Sequence, residues 1–186
     1  MPYFQHASWV PFVYQGVTHD LTHLDEYEFT VKDTDDVDRR IAVTFADHCF
    51  TRKPEPGDDP ALVYPASDRR PGHFSLDRYH HSFGLAGHIA QAAHGKVWTV
   101  RGDTFAAVPV VDHAGTPMLY GIVFSLDRVT GLPVHLHIRV KTAYPCTEKD
   151  ILTFGEVRFR HLVALRMKGK SPGRITTPGR KVPRVR

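Results

Sequence analysis

The chain has 186 residues, 41% of them hydrophobic and 24% charged, a balance that suits a globular protein long enough to bury a core. Two cysteines exclude a disulfide-stapled scaffold, and no apolar run reaches the length of a membrane span. The net charge of +4 is uneven: all 20 acidic residues lie at or before Glu156, and ten lysines and arginines follow it.

That asymmetry favours RNA or another polyanion as partner, or an acidic partner protein that covers the basic end. The opening MPYFQHASWVPFVYQG has neither the basic nor the apolar block of a secretory signal, so a cytoplasmic protein is expected.

In chain order, residues 1–16 carry Pro2 and Pro11, which argue against a helix, and are too aromatic for a free tail. They should pack on the body or on a second copy. Tyr27, Phe29 and Val31 alternate, Asp33–Asp38 is an acidic turn, and Ile41, Val43 and Phe45 alternate again, which is the pattern of a β-hairpin. Its second strand delivers Asp47, His48, Cys49 and Arg52 at its far end. Residues 53–73 are rich in Pro, Gly and Asp and read as a long loop.

SLDRYHHSFGLAGHIAQAAHG predicts one helix, with Ser75 as N-cap and Gly95 past its end. Tyr79, Phe83, Ala86, Ile89, Ala90 and Ala93 should face a sheet. Three strands follow, about Phe105–Val111, Met118–Arg128 and Leu132–Pro145, joined by turns short enough to require antiparallel pairing. Thr147 caps a short segment through Ile151. FGEVRFRHLVALRMKG fits a fourth strand or a short helix, and the alternation of Val157, Phe159 and His161 favours the strand.

The expected fold class is α+β: an antiparallel β-meander with one main helix on a face, plus an N-terminal β-hairpin. One domain spans 1–165, made of a segment and hairpin (1–52), a loop (53–73), and a helix plus sheet (75–165). A basic irregular tail takes 166–186.

The strand LPVHLHIRVKTAYP puts Leu136, Ile138 and Val140 on one face and His135, His137, Arg139 and Lys141 on the other, with no acid among the second set. That row either faces an anion or is the solvated side of an edge strand, where lysine discourages aggregation. Arg166, Lys168 and Lys170 extend the basic surface as candidate nucleic-acid contacts.

A helix followed by an antiparallel meander that ends in V-K-T-A-Y-P resembles a superfamily of small nucleases that includes barnase, EndoU, colicins E5 and D, and the RelE toxins. The resemblance covers about residues 75–165. HDLTHL, DHCFTR and DRYHHSFGL also resemble a bacterial protein family of unassigned activity. The nuclease resemblance implies a metal-independent endoribonuclease, of a toxin or phage-conflict kind and open to restraint by an inhibitor. In it, Thr142 and Tyr144 would orient or protonate the scissile phosphate.

Such chemistry needs a base for the ribose 2′-hydroxyl, a cation for the phosphorane and an acid for the leaving 5′-oxygen. The late strands hold no acid to act as base, so a histidine must; His48 is the candidate, and Arg52 and Arg78 are the phosphate candidates. The alternative is a non-catalytic nucleic-acid-binding or assembly module built on the basic strand face and tail.

The pairs His19/His23, His80/His81 and His135/His137 have spacings a metal can use, yet no HExxH or paired CxxC accompanies them, so no metal is expected. Without a Walker A loop or a GxGxxG after a strand, no cofactor is expected either.

Overall fold

The computed structural model describes residues 2–5, 7–65, 72–100, 103–111, 115–146 and 155–172. The Thr147–Ile151 segment and residues 173–186 of the basic tail lie outside them. The fold is α+β. Its frame is a seven-stranded sheet of β3 (Tyr27–Lys32), β4 (Asp38–Phe45), β7 (Lys96–Val100), β8 (Asp103–Val111), β9 (Pro117–Arg128), β10 (Leu136–Cys146) and β11 (Gly155–Arg158), in the order β11-β7-β8-β9-β10-β4-β3. Two short ribbons add β1 (Phe12–Tyr14) with β2 (Val17–His19), and β5 (Thr51–Arg52) with β6 (His73–Phe74).

The hairpin of alternating aromatics is β3–β4, with Tyr27 opposite Val43 and Phe29 opposite Ile41. β7 to β10 form the meander. The hairpin joins that meander along β10, and there the pairing is parallel, Leu136 beside Ile41 through Val140 beside Phe45. The first five residues of β10 are therefore interior to the sheet, and the edge-strand reading does not hold for them. The sequence pattern also hides β7, whose five residues lack a clean alternation, and β10 begins at Leu136, four residues later than its pattern suggests.

The predicted single helix is two, α1 (Leu76–Ser82) and α2 (Leu85–Ala93), broken at Phe83–Gly84. Glycine costs a helix about 1 kcal/mol relative to alanine. At Gly84 the missing Cβ leaves room for the His88 ring, whose Nε2 lies 2.6 Å from where that Cβ would stand. The break turns Phe83 outward, 56% exposed and stacked 4.0 Å from the His23 ring, whereas Tyr79, Ile89 and Ala93 face inward as expected. The predicted fourth strand is half strand: β11 ends at Arg158 and α3 runs Phe159–Met167. Phe159, Leu162 and Val163, at helical spacing, are all buried. Arg166 thus sits on a helix, not in a tail.

One core joins the inner sheet face (Ile41, Val43, Ile122, Phe124, Leu126, Leu136, Ile138, Val140) to Leu85 and Ile89 of α2 and to Phe159, Leu162 and Val163 of α3. Each such side chain contributes about 1.5–3 kcal/mol by leaving water. The aromatic N-terminal segment lies on the body. The Glu26 carboxylate accepts the amides of Tyr3, Phe4 and Gln5 at 2.7–2.8 Å, and Trp9 Nε1 donates to the Leu24 carbonyl. Among the described residues no helix is long and apolar enough to cross a membrane.

Candidate anion site around Arg78

β4 ends at Phe45, and the Ala46 amide donates to the Val140 carbonyl, tying the exit of β4 to β10. The chain then makes a 3-10 turn over Asp47–Cys49. Cys49 is fully buried, which leaves the His48 side chain outward and half exposed. Ser75 caps α1 by accepting the Arg78 amide, so Arg78 leaves the first turn of the helix toward this loop.

Arg78 Nη1 donates to the His48 carbonyl at 2.8 Å and to the Thr51 carbonyl at 3.0 Å, and lies 3.5 Å from Thr142 Oγ1. Thr142 Oγ1 itself donates to the His48 carbonyl at 3.4 Å. The guanidinium carbon sits 6.0 Å from the Tyr144 ring centre. Among the described residues no carboxylate lies within ion-pair distance of Arg78, and its Nε and Nη2 make no hydrogen bond. His48 Nδ1 is 3.4 Å from Thr51 Oγ1 and 4.0 Å from Asp47 Oδ1.

Thr142 and Tyr144 reach this place through a β-bulge. Plain alternation would put them with Leu136 and Val140, inside. The register of β10 against β9 shifts between Val140 and Thr142, so Arg139 faces Ser125 while Thr142 faces Val123. Lys141 is the extra residue, and after it Thr142 and Tyr144 share the face of His137 and Arg139. Ala143 turns into the core, and Tyr144 packs on Trp98, Leu119 and Cys146 outside it.

Arg52 is not part of the cluster. Both its terminal nitrogens grip Asp58, at 2.8 and 2.5 Å, and Asp58 also accepts from the Glu55 amide and lies 3.0 Å from His73 Nδ1. The Arg52 hydrogen bonds, then the Glu55 amide, hold the Asp58 carboxyl far below the usual range. Arg52 braces the turn from Lys53 to Asp58.

The cationic row is also divided. His135 Nδ1 accepts the Arg40 amide at 2.9 Å. His137 Nε2 meets Thr44 Oγ1 at 2.8 Å under the Phe4 ring, which stacks at 3.8 Å, and burial lowers the His137 pKa. Arg139 and Lys141 are exposed. On α3, Arg166 Nη1 donates to Ser171 Oγ, and just past the helix Lys168 reaches Asp35 at 3.4 Å in the acidic β3–β4 turn. Lys170 is exposed, its amide bonded to the Leu165 carbonyl.

Burial pushes the Cys49 thiol up to about 12, so it holds no thiolate nucleophile at neutral pH. Among the described residues no group of three His, Cys, Asp or Glu is placed to hold a metal ion. Asp47 carries no signal in the sequence beyond its place beside His48. Its carboxylate is 6% exposed, and Oδ2 is buried without a hydrogen-bond partner among the described residues.

Compared with known proteins, residues 11–167 match the model of the YjaZ family. No curated protein and no solved structure matches the chain.

Proposed function

The chain belongs to the YjaZ family, and on the geometry around Arg78 we propose that it is a small metal-independent endoribonuclease. One observation carries the reading: a guanidinium pinned through Nη1 by two backbone carbonyls, with no carboxylate among the described residues to neutralise it. An arginine held this way keeps a planar pair of donors, Nε and Nη2, for phosphate oxygens.

In the proposed reaction a phosphodiester sits on those donors. The His48 imidazole, steered through Nδ1 by Thr51 and Asp47, takes the ribose 2′-hydroxyl proton on Nε2. The 2′-oxygen bonds to phosphorus, Arg78 stabilises the charge that builds on the phosphorane, and the bond from phosphorus to the 5′-oxygen breaks. Tyr144 is assigned the proton that the leaving 5′-oxygen takes up, and Thr142 the orientation of the phosphate. The products are a 2′,3′-cyclic phosphate and a 5′-hydroxyl.

A broad nucleic-acid-binding face has less support, because many surface cations are already paired. Arg40 holds Glu28, Arg39 holds Asp33, Lys96 holds Glu156 and Arg160 holds Asp36. The test is incubation with total RNA in EDTA at neutral pH. Fragments with cyclic-phosphate ends are expected, slowed on the order of 10²-fold or more by His48→Gln and by Arg78→Lys, which keeps the charge and loses the fork. RNA left intact, but retained in a salt-sensitive way that both variants preserve, would favour a binding module and end the ribonuclease reading.

A further inference from the structure

A cavity of about 670 Å³ lies between the N-terminal segment and the outer sheet face. Its walls include Phe4, Trp9 and Tyr64, with His137 and Arg139 from β10 and Asp47 from the turn after β4. RNA cleavage at Arg78 draws on a single wall of it, Asp47, and leaves the space itself without a role. Asp47 is the unusual member. A carboxylate oxygen that is buried with no hydrogen-bond partner among the described residues is an arrangement native proteins rarely keep without a reason. Its negative charge is felt at the Tyr64 hydroxyl, another wall of the same cavity, and raises that group's pKa after burial has done so.

The other walls set the chemistry of an occupant. Phe4, Trp9 and Tyr64 make part of the wall aromatic, and aromatic rings attract a cation. His137, its pKa lowered by burial, is neutral at pH 7 and does not oppose one. Arg139 is exposed and, among the described residues, without a carboxylate partner, so it offers a counter-charge at the outer wall. A cavity with a buried acid, aromatic walls and an exposed arginine suits a molecule that is cationic at one end and anionic at the other.

We infer that this cavity is a binding site for a small amphoteric molecule, whose guanidinium or side-chain ammonium, at the end away from its carboxylate, pairs with Asp47 and whose carboxylate pairs with Arg139. The site stands apart from the phosphate site, although Asp47 Oδ1 lies 4.0 Å from His48 Nδ1, so an occupant would alter the surroundings of that histidine.

The test uses the full chain with L-arginine as probe and L-citrulline as its neutral counterpart, read by fluorescence of Trp9 and by amide chemical shifts. A saturable response to arginine is expected, at least tenfold weaker for citrulline and for the Asp47→Asn chain. Agmatine, which lacks the carboxylate, should bind more weakly than arginine, and Arg139→Gln should remove that difference. No saturable response to arginine, or equal responses to arginine and citrulline, would overturn the site. Unchanged arginine binding by Asp47→Asn would do the same. If Asp47→Asn fails to fold, the arginine–citrulline comparison on the unaltered chain decides.

Discussion

Two arginines that look alike in sequence behave differently at the scale of single residues. Arg52 and Arg78 both stand near acids in the chain, Asp58 and Asp77. Arg52 closes a two-pronged ion pair on Asp58, while Arg78 turns to backbone carbonyls. Arg52→Ala should therefore cost stability, about 1–3 kcal/mol for the lost charge-assisted hydrogen bonds in a partly buried setting, measured by urea unfolding. RNA cleavage by that variant should stay near the wild-type rate. Loss of cleavage in a fully folded Arg52→Ala chain would mean that the phosphate site extends to the loop.

For an element, the decisive event is one inserted residue. Lys141 is the extra residue of the bulge, and it carries Thr142 and Tyr144 from the inner to the outer face. The same position divides β10 by its neighbours. Leu136–Val140 has β9 on one side and β4 on the other, while among the described residues the strand neighbour of Thr142–Cys146 is β9. Amide hydrogen exchange should follow that division, with slow exchange over Leu136–Val140 and faster exchange beyond Lys141. Uniform protection along all eleven residues would show that the second half of β10 has another partner in solution.

Across the molecule, thirteen histidines make stability depend on pH. His19, His23, His88 and His137 all have pKa values lowered, in each case first by burial. Burial keeps these imidazoles neutral in the folded state, whereas in the unfolded chain they take up protons near pH 6.5. The unfolded state then binds more protons on acidification, so stability is flat above about pH 7 and falls as the pH drops below about 6.5. Thermal melts from about pH 7.5 to about pH 5 should show that fall, and His137→Gln, which keeps a polar side chain near Thr44, should reduce its slope. A melting temperature that rises on acidification would mean that other groups, with pKa values raised by folding, outweigh these four histidines.

The hairpin strands β3 and β4 are legible from the alternation of their large apolar residues, and β8 and β9 from apolar runs bounded by turn residues. The chemistry at the start of the helical stretch is legible too, from Ser75 and the residues after it. Legibility ends where a distant contact decides the outcome. Phe83–Gly84 breaks a helix whose apolar period runs on across it, and that period carries no mark of the break. Phe159–Met167 is too short for its period to be told from a strand's until the sheet and α2 bury Phe159, Leu162 and Val163.

By itself the sequence determined the class of fold and the hairpin; of the site it offered candidates alone, His48 on a turn, Arg52 and Arg78, and a threonine and tyrosine late in a strand. Only the tertiary structure decided that Arg78, Thr142, Tyr144 and the His48 carbonyl meet while Arg52 does not, and that Asp47 is left buried beside a cavity. The reason is physical. Local periodicity reports which way a side chain leaves its own backbone, but the partner it finds depends on parallel pairing, a bulge and a loop closing from dozens of residues away.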